Sequence, residues 1–286
     1  MIIDKILPKI VGDKAYLNKC LADEGKSRGL TSQEIDLLLS SIPLKLLNAY
    51  CFFDKLTKMW RYEFGLPFTV GDSQYLYGTH MWPPVKYLFS VLFSAIRRLP
   101  NRKRREYFTK LTNIDKHWDT LVEFLPIIRL SENTPFCYEV PTGIGNLNAD
   151  WGITASCGRM ILIDVKRRFR DLLEVMDRIE NGEQGPDGTA PAPTHDVAFM
   201  FRSTESKYAQ KDPAQQLQGA WIETALKQEE TELQNVFGAL DCSRLHFAIL
   251  GGWKPGIKLL TKRPEDQQFL LELFNESIGD NFHFNR

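Results

Sequence analysis

The sequence lacks most of the signatures that assign a chain at sight. Its five cysteines, at positions 20, 51, 137, 157 and 242, form no CxxC or CxxH pair, which argues against a structural zinc site. Five is an odd number, and 286 residues can bury a core without covalent staples, so reduced thiols are expected. The five histidines are scattered, with no HxH or HxxxH spacing. Long apolar runs are missing too: residues 87–96 form the most apolar stretch, far short of the ~20 needed to span a bilayer. The start carries Asp4, Lys5 and Lys9 and no apolar signal segment, so a soluble, cytoplasmic protein without a membrane partner is expected. Gly143-Ile-Gly145 opens no helix and is not a dinucleotide loop. No Gly-x-Ser-x-Gly elbow surrounds Ser156 and Cys157, as a serine hydrolase would require. Net charge is also lacking: 36 Lys and Arg offset 36 Asp and Glu. That balance excludes a histone-like protein, a polybasic membrane binder and an acidic tail, but it does not exclude local patches.

What is present divides the chain in two. Residues 1–112 read as a helical N-terminal region for DNA or partner binding. Thr31-Ser-Gln-Glu34 fits a capping box, and Ile35, Leu38, Leu39 and Ile42 follow it at helical spacing. Further helices are expected over 43–61, 85–99, 101–111 and 114–124, with a Gly/Pro/aromatic break over 65–84. From Pro135 the texture changes. Strands are expected over 136–140, 148–156 and 160–165, joined by the turn chemistry of Thr142-Gly-Ile-Gly-Asn146 and Cys157-Gly158. A helix over 167–180, a flexible loop over 181–194, a fourth strand over 197–201, a long helix over 213–237, a fifth strand over 245–250 and a final helix over 264–275 complete residues 113–286. Gln215, Gln216 and Gln218 then fall at a helix start, as surface or capping residues. The fold class implied is α/β (α+β): a mixed central sheet of about five strands flanked by helices, with three strands in an antiparallel meander and the later ones free to add in parallel.

The chemistry concentrates in residues 139–168. Asp164 and Lys166 sit two apart on a strand, so their side chains leave one face while Ile161, Ile163 and Val165 leave the other. An ionisable pair ending an apolar strand needs a reason, because burying charge without partners is costly. If the turn after the second strand centres between Cys157 and Gly158, paired residue numbers total 315, which sets Asp150 opposite Val165. If the earlier turn centres near Ile144 and Gly145, pairs total 289 and Glu139 faces Asp150. Either way Glu139, Asp150, Asp164 and Lys166 gather at one end of three adjacent strands. Trp151, next to Asp150, should point to the opposite face and pack under a helix. Such a cluster suits a hard cation: carboxylate oxygens bind Mg²⁺, which keeps waters and accepts phosphate oxygens, and a neighbouring lysine can serve the attacking water.

Asp150, fourteen residues later Asp164-Val165-Lys166 at the end of an apolar strand, and the helices and strands around them resemble the PD-(D/E)XK superfamily of restriction-endonuclease-like nucleases. The likeness covers about residues 115–205. It implies a restriction-endonuclease-like sheet and a Mg²⁺-dependent (or Mn²⁺-dependent) hydrolysis of DNA phosphodiester bonds, with an endonuclease favoured. Asp150, Asp164 and the Val165 carbonyl would hold the metal, and Lys166 would serve the nucleophilic water. The upstream acid of the family falls on Glu123 if helical or on Glu139 if on the first strand; both qualify. Asn148-Ala149 precedes Asp150 where proline is frequent in the family.

Residues 85–111 hold Lys86, Arg97, Arg98, Arg102, Lys103, Arg104, Arg105 and Lys110 against Glu106, a local excess of seven positive charges. This suits a phosphate backbone, and Arg167 and Arg168 carry the basic character up to the motif. Arg102, Lys103, Arg104, Arg105, Arg167 and Arg168 are therefore the candidate nucleic-acid contacts. The expected partner is DNA, with RNA, a homodimer or a partner protein compatible. The competing readings are a non-cleaving DNA-binding or assembly protein on the same fold, and a helical interaction protein whose acidic cluster is incidental.

Overall fold

A computed structural model describes residues 14–41, 43, 85–167, 197–223, 227–240, 243–252 and 257–275. The helices expected over 43–61 and 167–180, the loop over 181–194 and Arg168 lie outside the described residues. Two compact units emerge: one holds the described residues up to Leu121, the other those from Val122 onward.

In the first unit the regular elements among the described residues are helices: α1 Lys14–Ser27, α2 Ser32–Ser41, α3 Val85–Ile96 and α4 Asn101–Thr112, with α5 His117–Glu123 crossing into the second unit. The capping box forms as its chemistry requires. The Glu34 carboxylate accepts from the Thr31 amide at 2.9 Å, and the Thr31 hydroxyl accepts from the Glu34 amide at 3.2 Å. Ile35 and Leu38 are buried, with Phe89, Phe93, Tyr107 and Phe108 from α3 and α4. Tyr107 donates its hydroxyl to the Thr120 carbonyl at 2.5 Å, so a buried polar tip is satisfied locally. Among the described residues no helix is long and apolar enough to cross a membrane.

The second unit is a six-stranded mixed sheet in simple sequence order. Its strands are β1 Phe136–Pro141, β2 Asn148–Thr154, β3 Met160–Lys166, β4 Gln216–Ile222, β5 Phe247–Leu250 and β6 Lys258–Thr261. β1, β2 and β3 form the expected antiparallel meander, β4 and β5 add in parallel, and β6 returns antiparallel. Positive φ at Gly143, Gly145 and Gly158 makes the two meander turns, which a side chain at those positions would strain. One face of the sheet packs Leu162, Ala220, Ile222 and Ala248 against α6 Val197–Ser206 and α7 Lys227–Ala239. On the other, Trp151 meets Phe124 edge-on at 4.9 Å, and Trp221 meets Phe274 of α8 Pro264–Asn275 at 5.7 Å.

Five expectations are corrected. Residues 197–201 are helix, not strand: a five-residue apolar run has no period of its own, and what decides is that Met200, Phe201, Thr204 and Tyr208 are buried at helical spacing. The helix over 213–237 begins only at Lys227, and Gln216–Ile222 is the central strand β4. Glutamine and alanine favour helix in isolation, but insertion between β3 and β5 overrides that preference. Gln218 is accordingly fully buried, its amide donating to the Ala209 carbonyl at 3.0 Å, not a surface or capping residue. The sheet has six strands and not about five, because Lys258–Thr261 pairs antiparallel with β5 at its edge. The β1–β2 pairs total 289 as expected, but the β2–β3 pairs, Trp151 with Ile163 among them, total 314.

Candidate active site

The one-residue difference in register matters. Continued by one step, the β2–β3 ladder would set Asp150 opposite Asp164, but the last regular pair is Trp151 with Ile163. Beyond it the Asp150 side chain takes over: its Oδ2 accepts the Val165 amide at 2.6 Å. A carboxylate thus does what a strand carbonyl would have done, and this fixes Asp150 beside the end of β3. Across β1 the regular pairing skips Glu139 and Asp150, and Glu139 has φ of 55°. Left-handed backbone is uncommon away from glycine and breaks strand alternation. Tyr138 stacks on Trp151 at 4.8 Å, whereas Val140, two residues on, packs toward Leu162 and Ala149 on the opposite face.

Asp164 is fully buried, and both its oxygens are engaged. Lys166 Nζ lies 2.6 Å from Oδ2, which also accepts the Thr204 hydroxyl at 3.1 Å. Lys207 Nζ pairs with Oδ1. Glu123, at the end of α5, accepts the Tyr138 hydroxyl at 2.7 Å. Asp150 keeps some accessible surface but is set deep among protein atoms. That depth, then the charge of Asp164, then that of Glu123, push its pKa up to about 8 against the pull of the Val165 amide and Lys207. Burial opposes the charge on Lys207, but attraction to Asp164 outweighs it and holds the lysine above its ordinary value. Tyr208, buried beneath, donates to the Gly219 carbonyl at 2.9 Å; burial first, then Asp164 and Asp150, raise its phenol well above the usual range.

The structure therefore brings together Asp150, Asp164, Lys166 and Glu123. Of the two upstream acids it is Glu123 that acts on Asp150 among the carboxylates with the largest effect. Trp151 points away from the site, its indole donating to the Glu123 carbonyl, as expected. Thr204, Lys207 and Tyr208 were missed. Their signal was the helical spacing of 200, 201, 204 and 208, hidden by reading that segment as a strand. Glu223, buried just past the end of β4, donates its amide to the Lys166 carbonyl at 3.0 Å and was also missed.

The basic run is less free than its count implies. Arg102 and Lys103 pair with Glu106 at 3.1 and 2.9 Å. Arg104 bonds Glu34 at 2.7 Å and the carbonyls of Arg97 and Leu99, so it ties α4 to α2 and to the end of α3. Arg105 is exposed, and Arg167 is half-buried just beyond β3.

Among the described residues no group of three or more His, Cys, Asp or Glu is gathered closely enough to hold a metal ion. The expected ligand set is smaller: two carboxylates and a carbonyl. The raised pKa of Asp150 comes from burial first and from the negative charges of Asp164 and Glu123 after it. Asp164 already holds two ammonium groups. No family model matches the chain, and neither a curated protein nor a solved structure matches it significantly.

Proposed function

We propose that this chain is a metal-dependent nuclease that hydrolyses DNA phosphodiester bonds, most simply as an endonuclease, on a sheet of the PD-(D/E)XK kind. The observation that carries the reading is the meeting of Asp150, Asp164 and Lys166 at one end of β2 and β3, with Lys166 Nζ 2.6 Å from Asp164. The order helix, three antiparallel strands, helix and parallel strand, from α5 through β4, supports it. Asp150 and Asp164 are the side chains that would hold Mg²⁺ or Mn²⁺, with the Val165 carbonyl beside them. When bound, the cation supplies charge neutralisation at the scissile phosphate and a more acidic water. Lys166, on the same face as Asp164, orients the attacking water by donating from Nζ and stabilises charge on the phosphoryl oxygens. Glu123 adds negative potential from the helix side, and Thr204 fixes the Asp164 carboxylate.

One observation favours the non-cleaving alternative: every Asp164 oxygen is already engaged by the protein. Supercoiled plasmid, linear duplex and single-stranded RNA, each with Mg²⁺, Mn²⁺ or EDTA, separate the two. Metal-dependent nicking by wild type, lost in Lys166→Ala, is the expected result. Salt-sensitive binding without cleavage under any metal would sink the nuclease and leave a DNA-binding protein.

A further inference from the structure

Lys207 has no place in the motif that suggested the site, yet it holds half of the central carboxylate. We infer that Lys207 is a positioning residue that occupies the Asp164 carboxylate until a divalent cation and a phosphodiester arrive together. This rests on the nuclease reading above.

The geometry sets up a competition. Asp164 Oδ1 carries Lys207, and Oδ2 carries Lys166 and Thr204. A cation drawing on the Asp164 oxygens would compete there with two ammonium groups whose charge repels it, so displacing one of them favours its binding. Lys207 is the one built to leave. Lys166 sits inside the sheet, paired with Ile222 of β4, and its carbonyl accepts the Glu223 amide. Lys207 follows the last turn of α6 and is the more exposed side chain, at 30% against 20%. Its stem can therefore swing while its backbone stays attached to the helix end, where its amide bonds the Thr204 carbonyl at 3.1 Å.

Charge counting says when it leaves. Once a metal is bound, the three carboxylates of Glu123, Asp150 and Asp164 face two lysines, Lys166 and Lys207, for a sum of minus one before the metal's own charge is counted. A divalent cation alone turns that sum to plus one and strands a displaced ammonium without an anion. A phosphodiester returns the sum to zero and offers the displaced Lys207 an oxygen to bond. Cation and DNA therefore favour each other's binding, with Lys207 as the coupling element.

Titrating Mn²⁺ into metal-free protein by calorimetry, with and without a phosphorothioate duplex, tests this. Wild type should bind Mn²⁺ weakly alone and about tenfold or more tightly with the duplex. Lys207→Met should bind Mn²⁺ about tenfold more tightly than wild type without DNA and lose most of the duplex effect. Lys207→Gln, which keeps a hydrogen bond without the charge, should follow Lys207→Met if the latter folds poorly, and Lys207→Arg should resemble wild type. Unchanged or weaker Mn²⁺ binding in folded Lys207→Met or Lys207→Gln overturns the role of Lys207 while leaving a cleaving wild type a nuclease. Absence of Mn²⁺ binding in every variant, with no metal-dependent cleavage, overturns both.

Discussion

The helical unit and the sheet unit treat buried polar groups in opposite ways. In the helical unit several of the described ones are closed off by a backbone carbonyl or a single ion pair. Tyr107 bonds the Thr120 carbonyl, Arg104 bonds Glu34 and two carbonyls, and buried His117 bonds the Leu111 carbonyl. In the sheet unit the carboxyls of Asp150, Asp164 and Glu123 act on one another, and two lysines share one of them. The first arrangement costs little and does no chemistry. The second gathers ionisable groups at the end of two strands, where each shifts the charge state of its neighbours.

Function should fail from one side only. Asp164→Asn should lower metal-dependent cleavage by about 10²–10³-fold or more in initial-rate assays. Arg104→Gln, in the helical unit, should cut thermal stability while leaving the metal dependence of cleavage intact. A comparable loss of metal dependence in Arg104→Gln would erase the contrast.

The two units should also respond to pH with opposite sign. Burial lowers His117 to about 4, so the fold holds it neutral while the unfolded chain takes up a proton. Stability from that residue is present above the ordinary histidine value and lost as pH falls toward 4. Burial and the neighbouring acids raise Asp150 to about 8, so the fold keeps a proton that the unfolded chain gives up. Stability from that residue is present at low pH and is lost as pH rises through about 8, unless a cation replaces the proton. Segment-resolved hydrogen exchange, corrected for intrinsic rates, should show α4 and α5 loosening first on acidification. The ends of β2 and β3 should loosen first at alkaline pH without metal, and added Mg²⁺ should reverse only the latter.

Asp150→Asn keeps an acceptor for the Val165 amide and removes the charge. Its metal-free melting midpoint at pH 8 should rise, by a stability of about 1 kcal/mol, while cleavage is lost. Glu139→Gly relieves left-handed backbone and should stabilise by roughly 1 kcal/mol. Cleavage should be kept with Glu123, whose charge helps raise the pKa of Asp150, as the upstream acid; loss of cleavage there would return the role to Glu139. Thr31→Ala opens the capping box of α2 and should cost ~1 kcal/mol in denaturant titration without touching activity.

Much of the site was legible in the one-dimensional chain. Asp164 and Lys166 share a face because strands have a period of two, and the turn residues at 143–145 and 157–158 set the meander. Those are local rules, so local letters suffice. The segment 197–222 was misread because its rules are not local. Val197-Ala-Phe-Met-Phe201 is apolar enough for either period, and Gln216–Ile222 carries helix-favouring letters. Its strand is chosen by the hydrogen bonds of β3 and β5 on either side, with Gly219 admitting the Phe247 ring where any Cβ would lie within 2.2 Å of it.

The order of charges along β2 and β3, and the turns that join them, are properties of the chain alone, because each depends on neighbours a few residues away. That Asp150 closes the ladder on Val165, that Asp164 and Glu123 both act on it, and that Thr204 and Lys207 reach Asp164 across forty or more residues are properties of packing. Helix α6 and the residue that follows it bring those two side chains to the carboxylate by packing on one face of the sheet, and no spacing within the sequence records that contact.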